Sequence, residues 1–369
     1  MTMIKAGVYV HIPFCLKKCA YCDFLSHRPR SLEVNEYMEA LAKEIERFKV
    51  EGQTLFIGGG TPSIVPPSLM ERLIKKLDKQ YGPFLEATIE VNPGTVDLNY
   101  LKMLYDLGID RLSIGVQSFD DDTLKKMGRI HSSNEAQEAV LKACEVGFTN
   151  ISIDLIYGYP QTTIKTLEET LKTAISLPIS HVSFYGLQLE EGTELMKERP
   201  QMLSDKEYVG MYYRGMEVLE ASGFMQYEIS NFAKPDFECK HNLIYWKNLE
   251  YLGLGVGAVS RLGKVRYKNI ESVLTYVKSI EDGARTLLVE EQLTAPVILK
   301  ENIMLGLRLK EGIGPNELGG FSLDDLYPEA VALLSGAGYL EQFNQLGVNR
   351  YRLTKKALPV MNSVLSYFF

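Results

Sequence analysis

The sequence predicts an α/β fold: parallel strands curved into an open or partial barrel, then a smaller, mainly helical C-terminal domain. Three observations lead there. Strand-length apolar runs alternate with segments of helical period through the first half of the chain. Chemically distinctive residues gather where those strands end, which is where parallel α/β folds collect their ligands. After Pro200 the rhythm breaks and shorter, more helical segments follow.

The apolar runs cover 8–12, 54–57, 87–91, 111–116, 151–156 and 181–185, with helical segments at 34–48, 68–79, 98–107, 134–145 and 167–176. Six strands with helices between them suit an open or partial barrel. Cys15 follows the first strand, Gly58-Gly59-Gly60-Thr61-Pro62 follows the second, Glu90 closes the third, Gln117 follows the fourth and Asp154 lies within the fifth. Beyond Pro200, residues 205–222 read as a helix with Ser204 as its N-cap. The stretch MQYEISNFAKPDFECKHNLIYWKN reads as irregular. From about residue 295 the chain turns helical, with a short strand at 351–353 and a last helix over 355–367. The expected divisions are a barrel over 1–200, an extension carrying HNLIYW over 201–290, and a small helical or winged-helix-like domain over 291–369. No internal repeat or low-complexity segment interrupts this order.

Of the 369 residues, 46% are hydrophobic and 24% charged, an ordinary globular balance with ample core material. A net charge of -7 without a broad basic field argues against nucleic acid as a main partner. No apolar run is long enough for an integral membrane segment. The opening MTMIKAGVYVHIPF lacks the apolar stretch and cleavage site of a signal peptide. A cytoplasmic location is therefore expected, where thiols stay reduced and clustered cysteines read as metal-binding or catalytic.

That cluster is HIPFCLKKCAYCDF, in which Cys15, Cys19 and Cys22 follow a C-x3-C-x2-C spacing. A structural zinc site needs four ligands, so His11 or His27 would have to complete one here. An iron–sulfur cluster uses thiolates as soft, charged donors, and three of them on four irons leave one iron open to a small ligand. Three thiols without a metal are the remaining alternative. Cys144, in LKACEVGF, reads as a buried small hydrophobe.

C-x3-C-x2-C after a first strand resembles the signature of the radical SAM superfamily. The resemblance implies a partial (β/α)6 barrel and a [4Fe-4S] cluster on Cys15, Cys19 and Cys22. Its open iron would bind the amino and carboxylate groups of S-adenosyl-L-methionine, and reduction would yield a 5′-deoxyadenosyl radical. YVHIPFC, GGGTPS, GVQSF and DLIYGYP are similar to segments of the oxygen-independent coproporphyrinogen III oxidase group, and the likeness runs over nearly the whole chain. Within that group, YCDF and HNLIYW look like the HemW branch, the haem chaperones.

The resemblance also assigns roles. Gly59, Gly60 and Thr61 would hold the amino-acid end of S-adenosylmethionine; the plain alternative is a tight turn. Tyr9 would pack near the sulfonium and Tyr21 on adenine, or both are core aromatics. Glu90, Gln117 and Asp154 are polar within apolar runs and each needs a partner, either the ligand or a structural network. Arg129, in MGRIH, resembles a carboxylate-binding arginine; alone it would more often be a surface residue. His241, beside Tyr245 and Trp246, is a candidate haem ligand, or a satisfied polar group next to aromatics. Cys239 is a second candidate.

One position departs from the oxidase pattern. The decarboxylases carry a further cysteine two residues after the third, where this chain has Phe24, and they have a longer extension ahead of the cluster. The reading that follows is a haem chaperone that binds haem and passes it to an acceptor protein. The alternative is an oxygen-independent coproporphyrinogen III oxidase acting on a porphyrin precursor; a zinc-stabilised binding protein is the third. A homodimer is implied by resemblance only.

Overall fold

The computed structural model describes residues 3–369. Its first half runs β1 (Ile4–Ile12), α1 (Glu33–Ile45), β2 (Val50–Gly59), α2 (Pro67–Tyr81), β3 (Glu86–Val91), α3 (Leu98–Asp106), β4 (Arg111–Gln117), α4 (Asp121–Lys126), α5 (Ser133–Val146), β5 (Asn150–Tyr157), α6 (Ile164–Ser176) and β6 (His181–Gly186). β1 to β6 pair in parallel in chain order. Every expected strand lies inside an observed one. The helices start where a side chain can take a free backbone N–H: Asp97, Asp120, Ser132 and Thr163 each accept one.

The strands alternate in character, and this makes a chamber. In β4, Leu112, Ile114 and Val116 are buried under the helices, while Arg111, Ser113, Gly115 and Gln117 face an interior cavity. In β6, Val182 and Phe184 pack outward, while His181, Ser183 and Tyr185 face in. A parallel sheet covered on both faces is normally apolar on both. A polar inner face belongs to a wall around a ligand site.

The sheet continues past six strands. After α7 (Glu194–Glu198) and α8 (Asp205–Ala221) come β7 (Met225–Gln226), β8 (Asn231–Ala233), α9 (Lys240–Trp246), β9 (Tyr251–Leu254), β10 (Val259–Leu262), β11 (Val265–Asn269), α10 (Val273–Glu281) and β12 (Leu287–Gln292). The strand order is β12-β11-β10-β9-β1-β2-β3-β4-β5-β6-β8-β7. β9 runs parallel to β1 on one side and β8 antiparallel to β6 on the other. The stretch read as irregular is therefore β7, β8 and α9. Strands of two and three residues are too short to show a period. α8 opens with a capping box between Ser204 and Glu207.

The remainder is α11 (Ala295–Gly306), α12 (Leu323–Leu326), α13 (Pro328–Gly336), the hairpin β13 (Leu340–Gln345) and β14 (Val348–Leu353), and α14 (Met361–Leu365). These elements close a second apolar core around Ile303, Leu307, Ile313, Leu334, Tyr351 and Phe368, separate from the barrel core. The single helix expected over 355–367 is broken: a 3-10 turn Leu358–Val360 precedes α14 and another, Ser366–Phe368, follows. Pro359 has no N–H to give an α-helix interior. Among the described residues no helix is long and apolar enough to cross a membrane.

Candidate functional site

A cavity of about 910 Å³ fills the barrel at the carboxyl ends of β1 to β6. The residues assigned to the cluster, to S-adenosylmethionine and to haem all line it: Cys15, Cys19, Cys22, Tyr9, Tyr21, Gly59, Gly60, Thr61, Glu90, Gln117, Arg129, Asp154 and His241. They are spread over 233 positions of sequence and meet because parallel strands present their ends on one side.

The cysteine loop is held by the strand-end loop beside it. Gly60 N–H donates to Ile12 O and Thr61 N–H to Phe14 O, both at 2.7 Å. A Cβ on Gly60 would sit 2.6 Å from Phe14 O, so only glycine permits this approach. Gly59 has φ +112° and gives its N–H to Glu90 Oε2 at 3.0 Å. Thr61 Oγ1 donates to Cys15 Sγ and Arg129 Nη1 to Cys19 Sγ, each at 3.4 Å. Asn92, which sequence reasoning missed, joins these two: it donates to Thr61 Oγ1 at 3.0 Å and accepts from Arg129 Nη2 at 2.8 Å. Tyr21 is partly buried beside Arg129 and Cys19, and desolvation raises its pKa despite the nearby guanidinium. Burial likewise pushes the Cys22 thiol up to about 11.

Deeper in the chamber two acids lie close together. Burial, and then the nearby Asp154, push Glu90 up to about 8. Asp154 is raised by burial, although Ser183 and Ser113 hydroxyls donate to it, the latter at 3.2 Å. Gln117 ends β4 in a left-handed conformation, φ 70°, which turns the chain toward the cavity.

The haem-ligand candidate is already occupied within the protein. His241 Nδ1 lies 2.7 Å from Thr54 Oγ1, and Nε2 lies 3.0 Å from the Tyr245 hydroxyl. Its ring stacks on Phe56 and its N–H donates to Glu86. Burial, with Arg111 nearby, lowers its pKa to about 3. Metal ligation through Nε2 requires Tyr245 to let go. Cys239 is buried, its thiol pushed up to about 12 and donating toward Glu86. Tyr9 donates to His11 Nδ1 at 2.9 Å and stacks on Phe56. Cys144, expected to be buried, is exposed: α5 buries Ala136, Ala139, Val140 and Ala143, and the next position points out.

The donor set decides between the metal alternatives. His11 has both ring nitrogens engaged, Nδ1 by Tyr9 and Nε2 by Leu25 O, so it is not free to complete a zinc site, while His27 is held through Nε2 by Glu33. Among the described residues no group of three or more His, Cys, Asp or Glu side chains is placed to hold a single ion. Three thiols with no fourth protein donor fit a cluster with an open iron. Arg129 keeps a buried Nε without a partner, and Glu90 and Asp154 face the chamber with no ion pair in contact among the described residues. These residues fit the cluster and S-adenosylmethionine.

Residues 9–174 match the radical SAM superfamily. The haem chaperone HemW of Lactococcus lactis is 35% identical over 372 residues, covering 98% of this chain and 97% of that protein. The haem chaperone HemW of Bacillus subtilis is 37% identical over 349 residues, covering 90% and 92%. Coproporphyrinogen III oxidase (HemN) from Escherichia coli, a radical SAM enzyme, superposes with a TM-score of 0.85 at 23% identity, covering 99% of this chain and 90% of that one. That last likeness is one of fold. With near-full-length relatives at this identity, the chain belongs to the HemW haem chaperone family of the radical SAM superfamily.

Proposed function

We propose that this protein is a haem chaperone that holds haem in the barrel chamber and passes it to an acceptor protein. The observation that carries this is the near-full-length identity with two proteins named as haem chaperones. The chamber suits the cargo. Its lining includes the aromatic side chains Phe56, Tyr157, Tyr185, Tyr212 and Tyr245, apolar surface that suits a flat macrocycle, and its volume falls in the small-ligand range.

Cys15, Cys19 and Cys22 would hold the [4Fe-4S] cluster, with Thr61 and Arg129 fixing two of the sulfurs. Gly59, Gly60, Glu90, Gln117, Asp154, Tyr9 and Tyr21 would surround S-adenosylmethionine. When bound, the pair supplies one-electron chemistry. Phe24 stands half-open at the rim, 60% exposed, where the oxidase pattern has a cysteine. A homodimer, implied by resemblance, is measurable by sedimentation.

The test is anaerobic. With the cluster reconstituted, haem is titrated and followed by its Soret band, then offered to a haem-free globin. In parallel, coproporphyrinogen III, S-adenosylmethionine and a reductant are added and the porphyrin is weighed. Haem binding and transfer without decarboxylation is the expected outcome. Loss of two carbon dioxide units would make this an oxidase instead, and absence of haem binding would remove the chaperone reading.

A further inference from the structure

Arg111 is the charge in the chamber that the proposed site leaves unused. It opens β4, and the period of two places it on the cavity side with Ser113, Gly115 and Gln117. It is 2% exposed. Its Nε has no hydrogen-bond partner among the described residues. Thr88, its ladder partner on β3, is also buried with its hydroxyl unpartnered. A buried guanidinium is normally matched by a carboxylate in hydrogen-bond contact, because an uncompensated one is costly.

The acids nearby are committed elsewhere. Glu86 takes the backbone N–H groups of Lys240 and His241, each at 3.0 Å, and the Cys239 thiol. Asp154 takes hydroxyls from Ser113 and Ser183. They act on Arg111 through space. Burial opposes its charge, yet Cys239, Glu86, Tyr227 and Asp154 together raise its pKa, so it stays a cation. A fixed cation facing a ligand chamber, with its Nε–H unfilled and no ion pair in contact, is a receptor for an anion.

We propose that Arg111 receives a carboxylate of the chamber's ligand, a propionate of haem. This rests on the haem reading above. S-adenosylmethionine also carries a carboxylate, but its place is beside the cluster, where Arg129 lies 3.4 Å from Cys19 Sγ. Arg111 and Gln117 mark opposite ends of β4, about 20 Å apart along a strand of this length. A carboxylate held at the cluster end does not reach the first residue of β4.

The experiment compares haem with haem dimethyl ester, which keeps the macrocycle and loses both carboxylates, on the full cluster-loaded protein. The wild type is expected to bind haem at least about tenfold more tightly than the ester, the lower end of a hydrogen bond to a charged group. Arg111→Gln should weaken haem by a similar factor and erase the preference, and Arg111→Lys should retain part of it. S-adenosylmethionine affinity should change less than haem affinity in both, because Arg111 reaches Glu90 and Asp154 only through space. If the wild type binds haem and ester equally, the proposal falls while the chaperone reading stands, whatever the variants do. If Arg111→Gln loses S-adenosylmethionine but keeps its haem preference, the carboxylate comes from the wrong ligand and the proposal falls. A wild type that binds neither tetrapyrrole removes both. The ester comparison needs no variant, so a misfolded substitution does not blunt it.

Discussion

Glu90 and His241 make the chamber respond to pH in opposite directions. Glu90 has a folded pKa of about 8, above the unfolded carboxyl value. The folded protein therefore holds the proton longer, and stability is lost as pH rises from about 4.5 to 8. Glu90→Gln keeps an acceptor for the Gly59 N–H and removes the titration. It should stabilise the cluster-free chain by about 2 kcal/mol at pH 8, allowing for screening at the cavity surface, and by little at pH 5. S-adenosylmethionine binding should weaken. Thermal melts at both pH values check this, and an equal gain at the two would mean that Glu90 is not held protonated. His241 is the reverse: its folded pKa of about 3 lies below the unfolded value, so the unfolded chain takes up the proton first. Stability is whole above about pH 6.5 and drains toward pH 3, by about 2 kcal/mol at pH 5. His241→Phe, which keeps the stack on Phe56, should flatten that acid limb of the melting curve. An acid limb as steep as in the wild type would show that His241 protonates without cost. Glu90, Gln117 and Asp154 were legible because each is polar within an apolar run, and the cysteines were legible by their spacing, whereas the roles of Tyr9, Tyr21, Arg129 and the glycine loop came from resemblance. Asn92 and Arg111 were not: asparagine just after a strand and arginine as the first residue of one are ordinary near a turn, and only the assembled chamber shows what they face.

At the scale of elements, the β2 loop and the cysteine loop behave as one unit. Their backbones interlock through Gly60 and Thr61, and the thiol loop has no regular structure of its own between β1 and α1. Gly60→Ala would force Phe14 away, since the added carbon has backbone on two sides. The expected result is a chain that folds, judged by circular dichroism, but reconstitutes less than about half of the cluster absorbance of the wild type. Full reconstitution would mean that the loops are less tightly locked than they look. The parallel strands were readable because their outward residues are almost all Ile, Val, Leu and Phe, with Ala6 and Ala87 beside them. The alternate inward residues, as in LSIGVQ and HVSF, carried the further message of a polar chamber. β7 to β12 were hidden by brevity and by partners far away in sequence. α9 was hidden because HNLIYW is only seven residues long with Lys240 and shows no full helical period.

Besides the barrel core and a small cluster around Met127, Tyr159, Leu187 and Leu195, the described residues form a C-terminal core, which makes part of the chamber wall. Residues 358–363 line the cavity, and Leu358 packs against both cores. The helical character of this tail was legible, but its contact with the site was not, because no local pattern encodes a reach back to the barrel. Much of the seam between the cores is polar: Arg266 pairs with Glu301, Asn248 with Asn302, and Lys355 with Glu220. Polar seams of this kind hold domains loosely and permit them to part. A chaperone must release its cargo, and we infer that parting of this seam would open the chamber. Arg266→Ala removes its pair with Glu301 far from the cavity. It should lower global stability by no more than about 1 kcal/mol, and an equal loosening of the seam would raise the haem off-rate about fivefold. Stopped-flow transfer to a haem-free globin measures that rate. A faster release with an unchanged S-adenosylmethionine affinity places the exit at the seam. An unchanged rate in both Arg266→Ala and Lys355→Ala would move the exit to the open rim around Phe24.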